Sequence, residues 1–200
     1  MNYRRLFNLE SNRQKRYEVI VSLLRIEDSD SVLDIGCGHG LSFEAFDTTN
    51  RIVGVDLNPS DYRAADFTFR LANGSELPFA DSEFDVAVSI GCFEYITPMT
   101  ELDACISEIN RVAKRALVVV PSITILLESH FHSFLWQLRS YERRRKLSHS
   151  SLGFELPGRH EEINYFSDNA WLNFIGFSTW KTKRHWHMFP IVRNLFIYKC

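Results

Sequence analysis

Three glycines at alternate positions follow a short, mainly apolar run, and this segment constrains the fold more than any other. Residues 31–40 read "SVLDIGCGHG", in which Gly36, Gly38 and Gly40 come directly after a strand-like stretch. Glycine has no Cβ, so a strand that ends in glycines lets another molecule approach its backbone closely. The segment therefore predicts a buried strand whose carboxyl end forms a binding loop.

The composition is that of a folded domain without a membrane segment. The 200 residues are 45% hydrophobic and 14% aromatic, which suffices for one domain with a sizeable core. The longest apolar run, 116–127, has 12 residues and includes Pro121, so we predict neither a signal peptide nor a transmembrane segment and expect a cytoplasmic protein. The four cysteines form no CxxC pair and no zinc-type spacing, and we predict no metal site.

Charge is distributed unevenly along the chain. The formal net charge is −2, but residues 1–129 carry −8 and residues 130–200 carry +6. A basic region of this kind can attract an anionic substrate or a membrane surface, and its densest basic run lies at 139–146. A solvated helix face is the alternative explanation of that run.

Apolar periodicity predicts strands that alternate with helices. The strand-like runs after the first one span 51–56, 67–71, 84–90 and 115–120. Helical spacing is found over 12–26 and 102–112, with Thr100 and Asp103 resembling a capping box, and a further helix is expected to begin at residue 41. This alternation predicts an α/β fold with a doubly wound, mostly parallel sheet covered on both faces.

The sequence after Pro121 has a different texture. A helix is predicted over 133–147, followed by a loop over 148–166 and a short helix that Ser167 caps and Gly176 stops. The chain then ends in two β-like runs, 177–186 and 192–200. We expect these runs to form an antiparallel hairpin at the edge of the sheet.

Glycine spacing and two aspartates limit the ligand. Dinucleotide-binding loops have the spacing GxGxxG, but residue 41 is leucine, and the chain has no GxxxxGK[ST] phosphate loop. Asp34, beside the glycines, suits a cationic ligand better than a polyphosphate. Asp56 ends the second predicted strand, where a carboxylate can accept two hydrogen bonds from ribose hydroxyls, so an adenosine fits there.

Several segments together resemble one enzyme superfamily. In chain order, "VLDIGCGHG", "VGVDLNP", "NGSELPFADSEFDVAVS" and "FEYI" resemble the successive motifs of class I S-adenosylmethionine-dependent methyltransferases. The segment "RHEEINYFSDNAWLNFIGF" resembles the region before the terminal hairpin in small-molecule members. The resemblance implies a Rossmann-like fold with a seven-stranded sheet and a C-terminal antiparallel hairpin, and S-adenosylmethionine as the cofactor.

No repeat or long linker divides the chain, so we predict a single methyltransferase domain over residues 1–200. Residues 1–30 form its N-terminal helical segment, 31–120 its cofactor-binding core, and 121–200 its substrate-side helix, loop and terminal hairpin.

The resemblance assigns cofactor contacts to the ends of the predicted strands. Asp34 would lie near the ammonium group of the cofactor, and the first loop would pass its methionine portion with Gly36, Cys37, Gly38 and Gly40. Asp56 would accept hydrogen bonds from the ribose hydroxyls, and Leu57 would flank the adenine.

Two further positions complete the implied cofactor site. Asn73 stands where the superfamily usually has aspartate, and its amide oxygen can still accept from the adenine amino group. The backbone N–H of Gly74 would meet a ring nitrogen. Ile90 and Gly91, after the 84–90 strand, would lie beside the sulfonium.

Three residues are candidates for the chemistry of transfer. His160 is the first candidate base, because it occupies the histidine position of the segment before the hairpin. The alternatives are a solvent-facing loop histidine and a structural hydrogen bond to Tyr165. Glu94 and Tyr95 stand where the superfamily often has Glu-His. A bracing role is the alternative for Glu94, and tyrosine in the histidine position speaks against base chemistry there.

The sequence thus predicts methyl transfer to a small-molecule acceptor, preferably at oxygen, with an anionic or membrane-associated acceptor favoured by the basic run. The tetrapeptide [DNS]PP[YF] is absent after the 84–90 strand, and the overall charge does not favour a nucleic-acid partner. The alternatives are an RNA or protein methyltransferase, a non-catalytic S-adenosylmethionine-binding sensor or accessory subunit, and an interaction protein with an empty glycine loop.

Overall fold

Seven strands form one mixed sheet in the computed structural model, which describes residues 9–40, 42–46, 49, 51–58, 67–121, 127–128, 133–134, 166, 168–188 and 192–200. The strands of this sheet are β1 Ser31–Ile35, β2 Arg51–Asp56, β3 Phe67–Leu71, β4 Phe84–Ile90, β5 Ala113–Pro121, β8 Lys181–Met188 and β9 Val192–Lys199. The short strands β6 Leu127–Glu128 and β7 Ser133–Phe134 pair separately with each other.

The strand order is β3-β2-β1-β4-β5-β9-β8. Strands β1 to β5 are parallel, whereas β9 runs antiparallel to β5 and β8 antiparallel to β9. The predicted doubly wound, mostly parallel sheet with a C-terminal antiparallel hairpin is confirmed. Because the order reverses between β1 and β4, the loops that follow these two strands leave a crevice at the carboxyl edge of the sheet.

Helices cover both faces of this sheet because its central strands are apolar on both sides. Helix α1, Leu9–Leu24, buries Tyr17, Ile20 and Leu24 against one face, in a cluster with Val32, Val86, Val88, Leu117 and Val119. Helix α2, Met99–Val112, buries its apolar stripe against the other face, in a cluster with Leu33, Ile35, Val53, Ala87 and Val118. The helix predicted over 12–26 and the helical stripe over 102–112 are thus confirmed.

The helix predicted after the glycines is shorter in the structure. The helix expected to begin at residue 41 is a single 3₁₀ turn, Phe43–Ala45, among the described residues. Just after this turn, the backbone N–H and the hydroxyl of Thr49 both donate to the carbonyl of Phe46, at 3.0 and 2.7 Å. A side chain that bonds the local backbone in this way competes with helix propagation.

The predicted capping box at the start of α2 is wrong. Thr100 lies within the first turn, and the helix is preceded by Pro98, with no side-chain cap. The carbonyl of Pro98 accepts instead from the backbone N–H groups of Glu101 and Leu102, at 2.9 and 3.3 Å.

The C-terminal elements depart from the prediction in three places. Ser133 and Phe134, the first residues of the predicted helix 133–147, pair as a strand with Glu128 and Leu127, and the rest of that helix lies outside the described residues, as does Ser167. Helix α3, Asp168–Leu172, ends before Gly176, which lies in a 3₁₀ turn, Ile175–Phe177. Strand β8 begins at Lys181 and not at residue 177 as predicted, and Trp180 N, just before it, donates to Phe177 O at 2.9 Å.

Candidate functional site

The predicted binding loop lies at the crevice between β1 and β4. Gly36, Gly38 and Gly40 all have positive φ values, 75°, 53° and 72°. Glycine adopts this left-handed backbone at low cost, whereas most other residues do not. The alternate glycines thus let the chain turn sharply after β1.

The end of β2 holds this loop in place. The backbone N–H groups of Gly36 and Cys37 both donate to the carbonyl of Val55, at 2.8 and 3.1 Å. Gly38 N donates to Asp56 Oδ2 at 2.9 Å, and Asn58 N donates to Asp56 Oδ1 at 2.9 Å. Each oxygen of a carboxylate can accept a further hydrogen bond, so the half-buried Asp56 can brace the loop and still accept from a ligand hydroxyl.

Asp34 is the acidic group beneath the loop. Its side chain is 2% exposed, and burial raises the pKa of this carboxyl to about 7 despite a hydrogen bond from the Ser42 hydroxyl to Oδ2. A buried carboxylate without a cation is costly, so a positive group at this position would favour its ionised form. Sequence reasoning missed Ser42, although its position two residues after Gly40 is a usable signal for a hydroxyl at the loop.

The loops after β1 and β4 are in direct contact. A Cβ atom at position 36 would lie 2.3 Å from Cys92 Sγ, so only glycine fits there. Gly91 has a φ of 69° and donates from its N–H to the carbonyl of Val119 at 3.0 Å. Desolvation and the nearby Glu94 carboxylate raise the pKa of the Cys92 thiol, which disfavours its ionised form.

The loop after β3 brings Asn73 and Gly74 to the same edge. Ala72 N donates to the carbonyl of Asp56 at 3.1 Å, which places Asn73 next to the end of β2. A Cβ at Gly74 would lie 3.2 Å from Ile35 Cγ2 and 3.3 Å from Cys105 Sγ. The loop therefore packs between the end of β1 and helix α2.

Two residues of α2 clamp this loop. Glu108 Oε2 accepts from Leu77 N at 2.7 Å, while Arg111 donates to the carbonyls of Leu77 and Phe79, at 3.1 and 2.7 Å. Glu108 and Arg111 also pair with each other, and their hydrogen bond lowers the pKa of Glu108 and raises that of Arg111. Sequence reasoning missed both residues, since neither lies near the loop along the chain.

The candidate catalytic residues are only partly described. Glu94 and Tyr95 lie in a 3₁₀ turn, Phe93–Tyr95, after β4, where Glu94 is buried and Tyr95 half-buried. A Cβ at Gly91 would lie 3.7 Å from Glu94 Oε1, so this carboxyl is close to the loop after β4. His160 lies outside the described residues.

Apolar side chains are exposed at the same edge of the sheet. Leu57, directly after β2, is 55% exposed, Leu71 at the end of β3 is 64% exposed, and Met99 at the start of α2 is 38% exposed. Ile90, at the end of β4, is half-buried. Exposed large apolar residues beside a cleft offer a surface for a flat ring. Leu71 and Met99 were not predicted as site residues.

The described part of the chain offers neither a metal cluster nor a membrane-spanning helix. No group of three or more His, Cys, Asp or Glu residues there is arranged to hold a metal ion. None of its helices is long and apolar enough to cross a membrane.

A glycine loop, a carboxylate at the end of β2 and a reversal of strand order define a nucleoside-binding α/β domain. Residues 33–119 match the family described as "Methyltransferase domain". The chain is 32% identical over 100 residues to cyclopropane-fatty-acyl-phospholipid synthase of Escherichia coli K12, and 31% identical over 107 residues to sterol 4-C-methyltransferase strm-1 of Caenorhabditis elegans. Residues 33–119 thus resemble a methyltransferase domain.

The extent of these matches is limited. The alignments to the synthase and to the sterol methyltransferase cover 46% and 48% of this chain, and the chain spans only 25% and 31% of these two relatives. A solved structure, Burkholderia thailandensis 1,6-didemethyltoxoflavin-N1-methyltransferase with bound S-adenosylhomocysteine, matches with a TM-score of 0.64 over 98% of this chain and 81% of that chain, at 16% identity. This last likeness shows the fold. The predicted Rossmann-like methyltransferase fold is thereby confirmed.

Proposed function

We propose that this chain transfers a methyl group from S-adenosylmethionine to a small-molecule acceptor. The observation that carries the proposal is the bond from Gly38 N to Asp56 Oδ2, which joins the glycine loop to the carboxylate expected to bind ribose. When bound, the cofactor supplies an electrophilic methyl group and its own leaving group. The chain has to bind the cofactor, orient the acceptor and exclude water.

We assign the cofactor contacts as the resemblance implies. Asp34 lies near the ammonium group, the loop from Gly36 to Gly40 passes the methionine portion, and Asp56 accepts from the ribose hydroxyls. The exposed Leu57 flanks the adenine, with Asn73 and Gly74 at its edge. Ile90 and Gly91 lie beside the sulfonium. The positive φ values of the loop glycines and the half-buried state of Asp56 support this assignment.

Removal of a proton from the acceptor is assigned to His160 as base, with Glu94 and Tyr95 beside the reacting methyl. The position of Glu94 in the turn after β4 supports its part in the assignment. A buried carboxyl can also brace the loop, and activity separates the two roles. A Glu94→Gln variant that binds cofactor normally but has lost turnover supports the catalytic role.

For the acceptor we propose a chemical class and the atom that is methylated. We expect an anionic or membrane-associated small molecule, methylated at oxygen. The excess of basic residues over 130–200 supports an anionic acceptor. The names of the two relatives mention a fatty-acyl phospholipid and a sterol carbon, which supports a lipid-like molecule but not an oxygen acceptor.

Single-domain organisation is also proposed for the chain. The C-terminal strand β9 pairs with β5, and β8 pairs with β9 at the edge of the same sheet, which supports one folding unit. A cytoplasmic location stays a prediction from the sequence.

Incubation with S-adenosylmethionine labelled at the methyl group tests the proposal. The label should pass to a component of a small-molecule or lipid extract, and Asp56→Ala should abolish the transfer. Label in RNA or protein would instead support a macromolecular methyltransferase. Tight cofactor binding without transfer to any pool would support the sensor or accessory subunit.

A further inference from the structure

The side-chain amide of Asn73 is held by two partners. Its Nδ2 donates to Glu101 Oε1 at 2.7 Å, and its Oδ1 accepts from Ser75 N at 3.2 Å. A carboxylate can only accept and a backbone N–H can only donate, so the two partners permit one orientation of the amide. All three residues are half-buried, which limits competition from water.

This fixed amide has one lone pair on Oδ1 and one hydrogen on Nδ2 left for a ligand. Asn73 follows Ala72, whose N–H donates to the carbonyl of Asp56 at 3.1 Å, so its backbone lies at the same edge of the sheet as the end of β2. An oxygen in a fixed orientation accepts from the amino group of a 6-aminopurine. The same oxygen repels the carbonyl oxygen of a 6-oxopurine, which can pair with the amide only by shifting to the remaining Nδ2 hydrogen, so the site favours the amino ligand.

We infer that Glu101 is a positioning residue that orients the Asn73 amide and thereby makes the site select 6-aminopurine over 6-oxopurine nucleosides. The inference rests on the proposed cofactor contacts. It also gives a physical reason for asparagine at position 73. An aspartate there would face the Glu101 carboxylate across 2.7 Å, and two ionised carboxylates at that distance repel each other.

Calorimetric titration of the full chain with S-adenosylhomocysteine and with its 6-oxo analogue, S-inosylhomocysteine, tests the inference. The wild type should prefer the amino ligand by at least about 30-fold. Glu101→Ala should lower this preference by about fivefold or more, because it removes a hydrogen bond to a charged group that fixes the amide. Glu101→Gln keeps an acceptor oxygen and should retain the preference within about twofold.

A control on the same loop separates orientation from loss of charge. Glu76 is an exposed carboxylate three residues after Asn73, and Glu76→Ala should leave the preference unchanged.

A second pair of variants tests the coupling in reverse. Asn73→Asp should weaken binding of S-adenosylhomocysteine about tenfold, and adding Glu101→Gln should restore most of it, because the glutamine amide can donate to the new carboxylate.

The outcomes distinguish this inference from the proposed function. Wild-type protein that fails to bind S-adenosylhomocysteine overturns the proposed function and the inference with it. Wild-type binding combined with an unchanged preference in Glu101→Ala overturns the inference alone. Asn73→Asp protein that binds normally without a change at Glu101 also overturns it. A structural role for Glu101 would shift both ligands equally and leave their ratio intact.

Discussion

Gly36 and Cys92 are in direct contact where the loops after β1 and β4 meet. A Cβ at position 36 would lie 2.3 Å from Cys92 Sγ and 2.6 Å from Cys92 Cβ. The glycine is therefore required both by its positive φ and by the close approach of the neighbouring loop. This contact fixes the distance between the two loops that border the crevice.

Gly36→Ala should destabilise the fold by about 2–4 kcal/mol, because it combines backbone strain with overpacking against Cys92. Gly38→Ala is the matched control, since φ is also positive there but nothing lies within 4 Å of its Cβ position. The control should lose only about 1 kcal/mol. The free energy of unfolding is measured by urea denaturation. Equal losses in the two variants would contradict the packing account.

The stability of the ligand-free protein should depend on the protonation of Asp34. Its pKa is raised from 3.8 to about 7 in the fold, so the native state binds the proton more tightly than the unfolded chain. The contribution of Asp34 to stability is complete below about pH 4, falls as pH rises towards 7, and is lost above it. The total loss is on the order of 4 kcal/mol.

Asp34→Asn keeps the shape and the acceptor for Ser42 while removing the ionisation. Urea denaturation between pH 4 and pH 8 should therefore show a flatter profile for this variant than for the wild type. Identical profiles would mean that Asp34 does not titrate in this range.

Arg111→Ala should loosen the loop after β3, because Arg111 donates to the carbonyls of Leu77 and Phe79. We expect a loss of about 1–3 kcal/mol and faster amide hydrogen exchange at Leu77. Lys114→Ala is the control, since Lys114 forms an ion pair with Asp85 and its side chain is 61% exposed. Such surface pairs contribute about 0–1 kcal/mol. Unchanged exchange at Leu77 in Arg111→Ala would contradict the clamp.

The sequence predicted which candidate site residues lie at strand ends. Gly36, Gly38 and Asp56 could be assigned because a buried strand followed by glycines, or ending in a carboxylate, is a local pattern with a physical reason. The predicted strands of the sheet were likewise found, since their apolar runs are long and bounded by turn residues.

The remaining contacts depend on residues far apart in the chain. Glu101 and Asn73 are 28 residues apart, and Arg111 lies 34 residues from Leu77. No local pattern encodes such pairs. The helix predicted from residue 41 is a single 3₁₀ turn, Phe43–Ala45, among the described residues, and the strand at Ser133 and Phe134 depends on pairing with Leu127 and Glu128. Pairing between segments overrides weak local preference.

We propose that S-adenosylmethionine binds to the loop from Gly36 to Gly40 and to Asp56. The most direct test is calorimetric titration of the wild type, Asp56→Ala and Asp103→Ala with S-adenosylmethionine and S-adenosylhomocysteine. Asp103 is an exposed residue of α2 and serves as the matched control. We predict micromolar binding to the wild type and the control, and a loss of at least about 30-fold in Asp56→Ala. Absence of binding to the wild type, or undiminished binding to Asp56→Ala, would contradict the account.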